Sequence, residues 1–448
     1  MQPSAAKRKR LEHVVADPPQ GAHRRALSGV VASLTATNAL VTALGLITGP
    51  ILARSLGASG RGLLAAILVP LNISPWVFSM GLPIYAGKAA AQRRSLGVLI
   101  GSVGGLGVAL GLIGAALAQP IADVLAGGRH TVEVWLTVAL VTLPLGVLGV
   151  ILHSVAVGLE RWRIVVLARV APPLLTLVGL VLLLSLDSLT VGSAAAVTIG
   201  AGVVAASPLL PIFRAAGRLQ FRFPVAWEGL RFGTKGWLGQ LANMLNYRLD
   251  QLLMIPLVEA RQLGLYAVAV TLSGFGSVLT GAVAHALVPA VARGDRLLPA
   301  RALRVTLALI TAASVIVALA CPWLLPAIFG PDFADATTMT LVLLLAGLPA
   351  AGITVLTSAL SNAERPGLTA AGEAIALSIT IPGLLVLLPD WGGNGAAVVT
   401  LAAYSANFIF LLGFSMRLFG AGAREFLIPH RADLGLVAGA LRIRNRSG

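Results

Sequence analysis

The sequence predicts an all-α integral membrane protein. It should have about twelve transmembrane helices in two six-helix lobes around a central cavity, related by a pseudo-twofold axis along the membrane normal. Three observations predict this. The 448-residue chain is 57% hydrophobic and only 11% charged, with a mean hydropathy of +0.89, whereas a soluble domain carries about 25% charged residues. Apolar runs of about 20 residues, enough to cross a bilayer, recur along its length. Short motifs also repeat once, about two hundred residues apart.

The spans are expected near 28–53, 62–84, 95–118, 131–153, 163–184, 189–213, 236–257, 264–291, 302–327, 338–360, 367–388 and 393–416. They define a basic cytoplasmic tail (1–27), an N-lobe (28–213), a cytoplasmic linker (214–235), a C-lobe (236–416) and a second basic tail (417–448). The first tail has no cleavable-signal pattern, because its apolar run is too long and no small-residue site follows it. Connections alternate in charge. Even-numbered loops carry Lys88, Arg93, Arg94, Arg161, Arg163, Arg214, Arg218, Arg222, Arg231, Lys235, Arg293, Arg296, Arg301 and Arg365. Odd-numbered loops carry Arg54, Arg61, Arg129 and Arg261 among Asp123, Asp187, Glu259, Asp332, Asp335 and Asp390. The positive-inside rule then places both termini in the cytoplasm. The net charge of +16 is spread over loops that meet lipid head groups, so nucleic-acid binding is not expected.

The repeat rests on two landmarks. Arg61-Gly62-Leu63-Leu64-Ala65 after the first span matches Leu263-Gly264-Leu265-Tyr266-Ala267 after the seventh, an offset of 202 (264 − 62). Gly158-Leu-Glu160-Arg161 matches Asn362-Ala-Glu364-Arg365, an offset of 204 (364 − 160). The second offset also carries Arg169 onto Glu373. Six spans are an even number, so the two halves share one orientation, as in parallel-repeat transporters.

The seventh span holds the densest polar pattern. At about 100° per residue, Gln240, Asn243, Asn246, Tyr247, Asp250 and Gln251 fall in one stripe, with Arg248 off it. A charge at mid-bilayer costs at least ~2.5 kcal/mol, so this stripe should face other helices or a wet cavity. Asn38, with Thr35 and Thr42 at helical spacing, marks the equivalent first span, and Asn407 marks the last. Candidate cavity residues are therefore Asn38, Asn243, Asn246, Tyr247, Asp250 and Asn407. Arg54, Arg61, Arg169, Arg248 and Glu373 are candidate anion-binding or gating charges. No phosphate-cradling GxxxxGK[ST] loop exists. The lone Cys321 excludes an internal disulfide, and His153 and His285 are isolated, so no metal, cofactor or catalytic constellation is expected.

These residues resemble a known family. Ala53-Arg54-Ser55-Leu56-Gly57 with Gly60-Arg61-Gly62, Gly158-Leu-Glu-Arg161, Leu245-Asn-Tyr-Arg-Leu-Asp250, Gly264-Leu-Tyr-Ala267 and Phe329-Gly-Pro-Asp-Phe333-Ala are similar to motifs of the O-antigen-type repeat-unit flippases. Those flippases belong to the multidrug/oligosaccharidyl-lipid/polysaccharide (MOP) exporter superfamily. The resemblance runs from about Val30 to Arg417. It implies alternating access in a bacterial plasma membrane and a polyprenyl-pyrophosphate-linked oligosaccharide moved from the cytoplasmic to the outer leaflet. It also implies a monomer acting alongside glycosyltransferases and a glycan polymerase. Arginine suits the pyrophosphate through fork-like hydrogen bonds, and the Asn and Tyr side chains suit sugars. A proton or sodium ion is a candidate coupling ion, and in the antiporter alternative Asp250 or Glu373 would carry it; the sequence leaves the energy source open. Two alternatives stay within the superfamily: a drug or cation antiporter, and a lipid II flippase. The first span lacks a basic residue between Gly29 and Arg54, which departs from the lipid II flippases. A glycan polymerase or ligase is disfavoured because no outer loop is large enough to carry a catalytic site.

Overall fold

The structure is a computed structural model describing residues 20–274, 276, 280, 298–363 and 365–428. The first 19 residues, the second half of the eighth expected span with His285, Arg293 and Arg296, Glu364, and the tail from 429 onward lie outside the described residues. Helices α1 to α7 are Gln20–Phe78, Leu82–Ala91, Leu96–Ala116, Ala118–Ala126, His130–Val141, Leu143–Gly158 and Trp162–Ser185. Helices α8 to α15 are Val191–Val204, Leu210–Ala215, Phe223–Leu257, Ala260–Ser273, Leu298–Phe329, Thr337–Asn362, Pro366–Phe419 and Ala423–Leu427. No β-strand occurs among the described residues. Seven described spans are long and apolar enough to cross a membrane, or up to eight when a bent pair is taken as one.

Local chemistry sets the breaks between and within the expected spans. Helix α1 is two helices joined at Gly57 (φ 67°, ψ −179°), and α14 is two joined at Gly392 (φ 50°, ψ −132°). Both breaks need a conformation that side chains with a Cβ resist. The expected fourth span bends by 49° between α5 and α6. Pro144 there has no N–H to continue the ladder, and Thr142 Oγ1 donates back to Ala139 O at 2.7 Å. Helix α10 starts at Phe223 rather than 236, so the second half of the expected linker is helical. Pro224 sits in its first turn, where a missing N–H costs nothing. The Arg222 backbone N–H donates to Ser102 Oγ at 2.8 Å. Helix α10 falls short of the membrane-span criterion because of the polar stripe that singled it out.

The repeat is visible in the backbone. Positive-φ breaks recur at Gly127 and Gly330 (330 − 127 = 203), Asp187 and Gly392 (392 − 187 = 205), and Gly217 and Gly420 (420 − 217 = 203). The repeat-related Gly62 and Gly264 meet face to face. A Cβ on Gly62 would lie 1.7 Å from Ala260 O and 2.9 Å from Gly264 N. A Cβ on Gly264 would lie 1.8 Å from Ala58 O and 2.9 Å from Gly62 N. Each half offers the same patch to the other, the signature of an isologous contact about a local twofold.

The cores differ between the two ends of the bundle. At the end holding the odd-numbered connections, both halves share one core. Leu52, Leu64 and Ile67 pack there with Met254, Tyr266, Leu325, Phe333, Leu388 and Ala396. At the other end each half keeps its own. Leu82, Tyr85, Ile100, Ile151 and Val165 form one core, and Leu303, Leu356, Leu411 and Phe426 form another. Among the described residues, the halves therefore share a core at one end, the joined end, and keep separate cores at the other, the parted end, where α10 docks on the N-terminal half.

Candidate functional site

The polar stripe of α10 resolves into a buried network between α10, α11 and α14. Asn246, Asp250, Glu373 and Asn407 are each under a tenth exposed. The Asn243 amide donates to Glu373 Oε1 at 3.2 Å. The Asn246 amide donates to Glu373 Oε2 and, at 3.1 Å, to the Glu373 backbone oxygen. One helical turn on, Asp250 accepts from the Tyr266 hydroxyl at 2.5 Å and from the Gln251 N–H at 2.7 Å. Tyr266 also lies 3.4 Å from Thr400 Oγ1, and the Tyr404 hydroxyl donates to Asn246 O at 3.4 Å. The network thus holds two carboxylates. Neither is in an ion pair among the described residues, where the pairs are Arg94–Glu228 and Arg261–Asp335. Removing a charge from water without a counter-charge is costly. The carboxyl groups are satisfied instead by neutral donors. The Oδ1 atoms of Asn246 and Asn407, with the Thr357 and Thr369 hydroxyls, are buried without a partner. Gly372 admits the Asn407 amide, since a Cβ there would sit 2.2 Å from Asn407 Oδ1.

The structure thus divides the stripe that sequence periodicity grouped together. Asn246, Asp250 and Gln251 turn into the C-terminal half. Gln240, Asn243 and Tyr247 lie exposed along its margin, where the Tyr247 ring meets Tyr404 edge-on at 6.1 Å. Arg248 is exposed and donates to Gln251 Oε1 at 3.3 Å. Asn38 is half-buried on α1 and stands apart from this network, its backbone oxygen accepting from Thr42 Oγ1 at 3.0 Å. Arg169, expected to pair in sequence position with Glu373, is exposed on α7 while Glu373 is buried. Tyr266, Thr400 and Tyr404 were not singled out from sequence. The sequence placed Tyr266 inside a repeat motif, and only the packing gives its hydroxyl a carboxylate.

Arginines tie the halves together at the joined end. Arg54 donates through Nε to Ile328 O at 2.9 Å and through a terminal nitrogen to Ala327 O, both at the C-terminus of α12. Arg129 donates to Ile255 O at 2.7 Å and Val258 O at 2.5 Å, at the C-terminus of α10. The last carbonyls of a helix lack intrahelical donors and carry partial negative charge, so guanidinium groups suit them. Under the repeat, Arg54 near the end of the first helix of α1 and Arg129 after α4 occupy complementary places. Each N-terminal-half arginine caps a C-terminal-half helix whose repeat equivalent lies next to the other arginine. Arg61 lies close by, with its Nε buried and without a partner. A cavity of about 350 Å³ around Arg54, Phe329 and Asp332 adjoins this contact. A larger one, about 550 Å³, lies wholly within residues 48–209, with Asn72, Trp76, His153, Pro172 and Thr198 among its lining.

With this geometry in view, three solved structures place the fold. The lipid II flippase MurJ in an inward closed conformation matches with a TM-score of 0.71 at 12% identity, over 88% of this chain and 89% of that one. An inward-facing multidrug resistance MATE family transporter of the MOP superfamily matches at 0.67 and 15%, over 85% and 94%. A MOP superfamily transporter from Pyrococcus furiosus with a binding pocket of reversed polarity matches at 0.57 and 12%, over 87% and 95%. The molecule therefore has the all-helical fold of the MOP transporters. More particularly, residues 29–294 match the family of polysaccharide biosynthesis proteins, and the chain belongs to that family. No curated protein matches it in sequence.

Proposed function

We propose that the protein flips a polyprenyl-pyrophosphate-linked oligosaccharide, a cell-surface polysaccharide repeat unit, from the cytoplasmic to the outer leaflet of a bacterial plasma membrane. Family membership supports polysaccharide export. The observation that carries the mechanism is the contrast between the two ends: one shared core at the joined end, two separate cores at the other. The parted end carries Lys88, Arg93, Arg94, Arg163, Arg231 and Lys235, so by the positive-inside rule it faces the cytoplasm. A space between lobes 28–213 and 236–416 then opens on the side where a lipid-linked glycan enters. Alternating access closes that end and parts the other, with six spans in each lobe.

The residue chemistry fits such a cargo. Asn243 and Tyr247, exposed on α10, offer neutral hydrogen bonds to sugars, and Asn38 on α1 offers a further amide. Arg248 and Arg169 have exposed guanidinium groups for pyrophosphate, while Arg54 and Arg61 act at the outer gate. The Asp250–Glu373 network, with Asn246 and Asn407, takes up the coupling proton or sodium ion. This unpaired carboxylate pair also favours a second reading, a cation-coupled antiporter of the same superfamily acting on a smaller solute.

Gene deletion with a leaflet-resolved assay of the undecaprenyl-linked glycan tests the cargo. Accumulation on the cytoplasmic face is expected, and normal surface glycan with new drug sensitivity would favour the antiporter. Asp250→Asn and Glu373→Gln keep shape while removing charge. Each is expected to lower transport at least ~10-fold, a loss of about 1.4 kcal/mol in the coupled step, with expression unchanged. Full complementation by both variants would refute the coupling site.

A further inference from the structure

The segment from Arg214 to Lys235 holds five cations, Arg214, Arg218, Arg222, Arg231 and Lys235, and one acid, Glu228. Glu228 is already engaged by Arg94 at 3.0 Å. No side-chain partner of Arg218, Arg222, Arg231 or Lys235 occurs among the described residues. The same segment exposes large aromatics: Phe221 is 60% exposed, Phe223 67% and Trp227 56%. Phe223 and Trp227 stack on each other at 6.4 Å and 11°.

The first turns of α10 sort these groups by face. Ala226, Gly229 and Gly233 are buried against the N-terminal half. A Cβ on Gly233 would lie 2.5 Å from Gly81 O, so the backbones touch. The Trp237 indole donates to Trp76 O at 2.9 Å, the Gln220 N–H to Gly97 O at 3.1 Å, and Arg94 to the Tyr85 hydroxyl at 2.8 Å. At about 100° per residue, the free arc then divides. Phe223, Trp227 and Leu238 lie on one side, and Arg231 and Lys235 on the other. Contacts to Gly97 and Ser102 fix this helix at the start of the apolar helix α3, where a membrane span begins. Aromatic residues beside cations at that level are the pattern of a helix end crossing the membrane–water interface.

We infer that residues 218–235 form a binding site for anionic phospholipid. In it Arg218, Arg222, Arg231 and Lys235 hold head-group phosphates, and Phe223 and Trp227 enter the acyl boundary. The charge excess, the free guanidinium groups and the exposed stacked rings point to the same occupant. The site is independent of the cargo, since it lies on the docked face of the linker and not in the Asp250 network.

The full-length protein in detergent, given equimolar phosphatidylglycerol and phosphatidylcholine of identical chains, tests it by native mass spectrometry. Wild type is expected to retain phosphatidylglycerol about tenfold more. Each of Arg222→Gln, Arg231→Gln and Lys235→Gln is expected to reduce that retention about fivefold, equivalent to about 1 kcal/mol per cation near an anionic surface. Trp227→Ala is expected to weaken both lipids, and Arg424→Gln, on another segment, neither. These positions are exposed, and an unchanged melting temperature separates lost binding from lost folding. Equal retention of the two lipids by wild type, or an unchanged preference in the triple variant, overturns the proposal. So does displacement of the lipid by millimolar inorganic phosphate, which would make this a free-anion site.

Discussion

The two ends of the bundle are built on opposite terms. At the joined end, the shared side-chain core is reinforced by backbone: Gly62 and Gly264 bring two helices close enough for main-chain atoms to touch, and Arg54 and Arg129 grip main-chain carbonyls. At the parted end, among the described residues, each half has a core of its own, and α10 docks on the N-terminal half through Gly233, Phe232 and Trp237. In the proposed alternating-access cycle the joined end must part, and its shared core must then come apart. The separate cores at the other end can stay intact through that motion. The difference teaches that such rocking would spare the separate cores and fall on the shared one.

The largest effect is expected from filling the seam. Gly264→Val or Gly62→Val drives a Cβ into a carbonyl oxygen, and overpacking of this kind costs about 1–3 kcal/mol or more. The joined end should part, exposing Ala58 and Ala260. Thiol labelling of cysteines placed at those two positions measures it, and unchanged labelling would show that the seam does not hold the halves. Next come the arginine ties. Arg54→Ala with Arg129→Ala removes four charge-assisted bonds worth about 1.5–3 kcal/mol each when buried, and less here because Arg54 is exposed. Labelling at the joined end should rise and transport should fall, with the double variant exceeding the sum of the singles if the two ties act as one gate.

Smaller still is the salt link at the parted end. The Arg94 guanidinium beside Glu228 holds its carboxyl below the ordinary carboxylate value. A depressed carboxyl pKa adds stability above the unfolded value, and that stability is lost as pH falls through the folded value. An exposed pair contributes only about 0.2–1 kcal/mol. Thermal melting of Glu228→Gln against wild type should therefore differ slightly at pH 7 and converge below about pH 4. A difference that persists in acid would mean that Glu228 acts through packing and not charge.

Much of this was legible in sequence because it is local or periodic. Apolar runs marked most spans, the gaps between them held the breaks at Gly57 and Gly392, and the offset of 202 named the two glycines that turn out to touch. The charge alternation separated the connections into the two groups that the cores place at opposite ends. What stayed hidden depended on contacts across the chain. Asn246 and Tyr247 are neighbours in a helical projection, yet packing buries one and exposes the other. Arg129 read as an ordinary loop cation because a carbonyl acceptor leaves no residue-type signature. The early start of α10 was missed because Arg222 is capped by Ser102, more than a hundred positions away.

Helix α10 deserves a mechanical description. Its 35 residues rise about 1.5 Å each, giving a strut of about 52 Å. One end is clamped to the first half at Gly233 and Trp237, and the other is embedded in the second half at Asp250. Were the halves to rock as proposed, a strut fixed to both would have to bend. Gly239 lies between the clamps, and a Cβ there would meet open space, so packing does not demand glycine. Glycine weakens a helix, so the bend would fall at that point without tearing either anchorage loose.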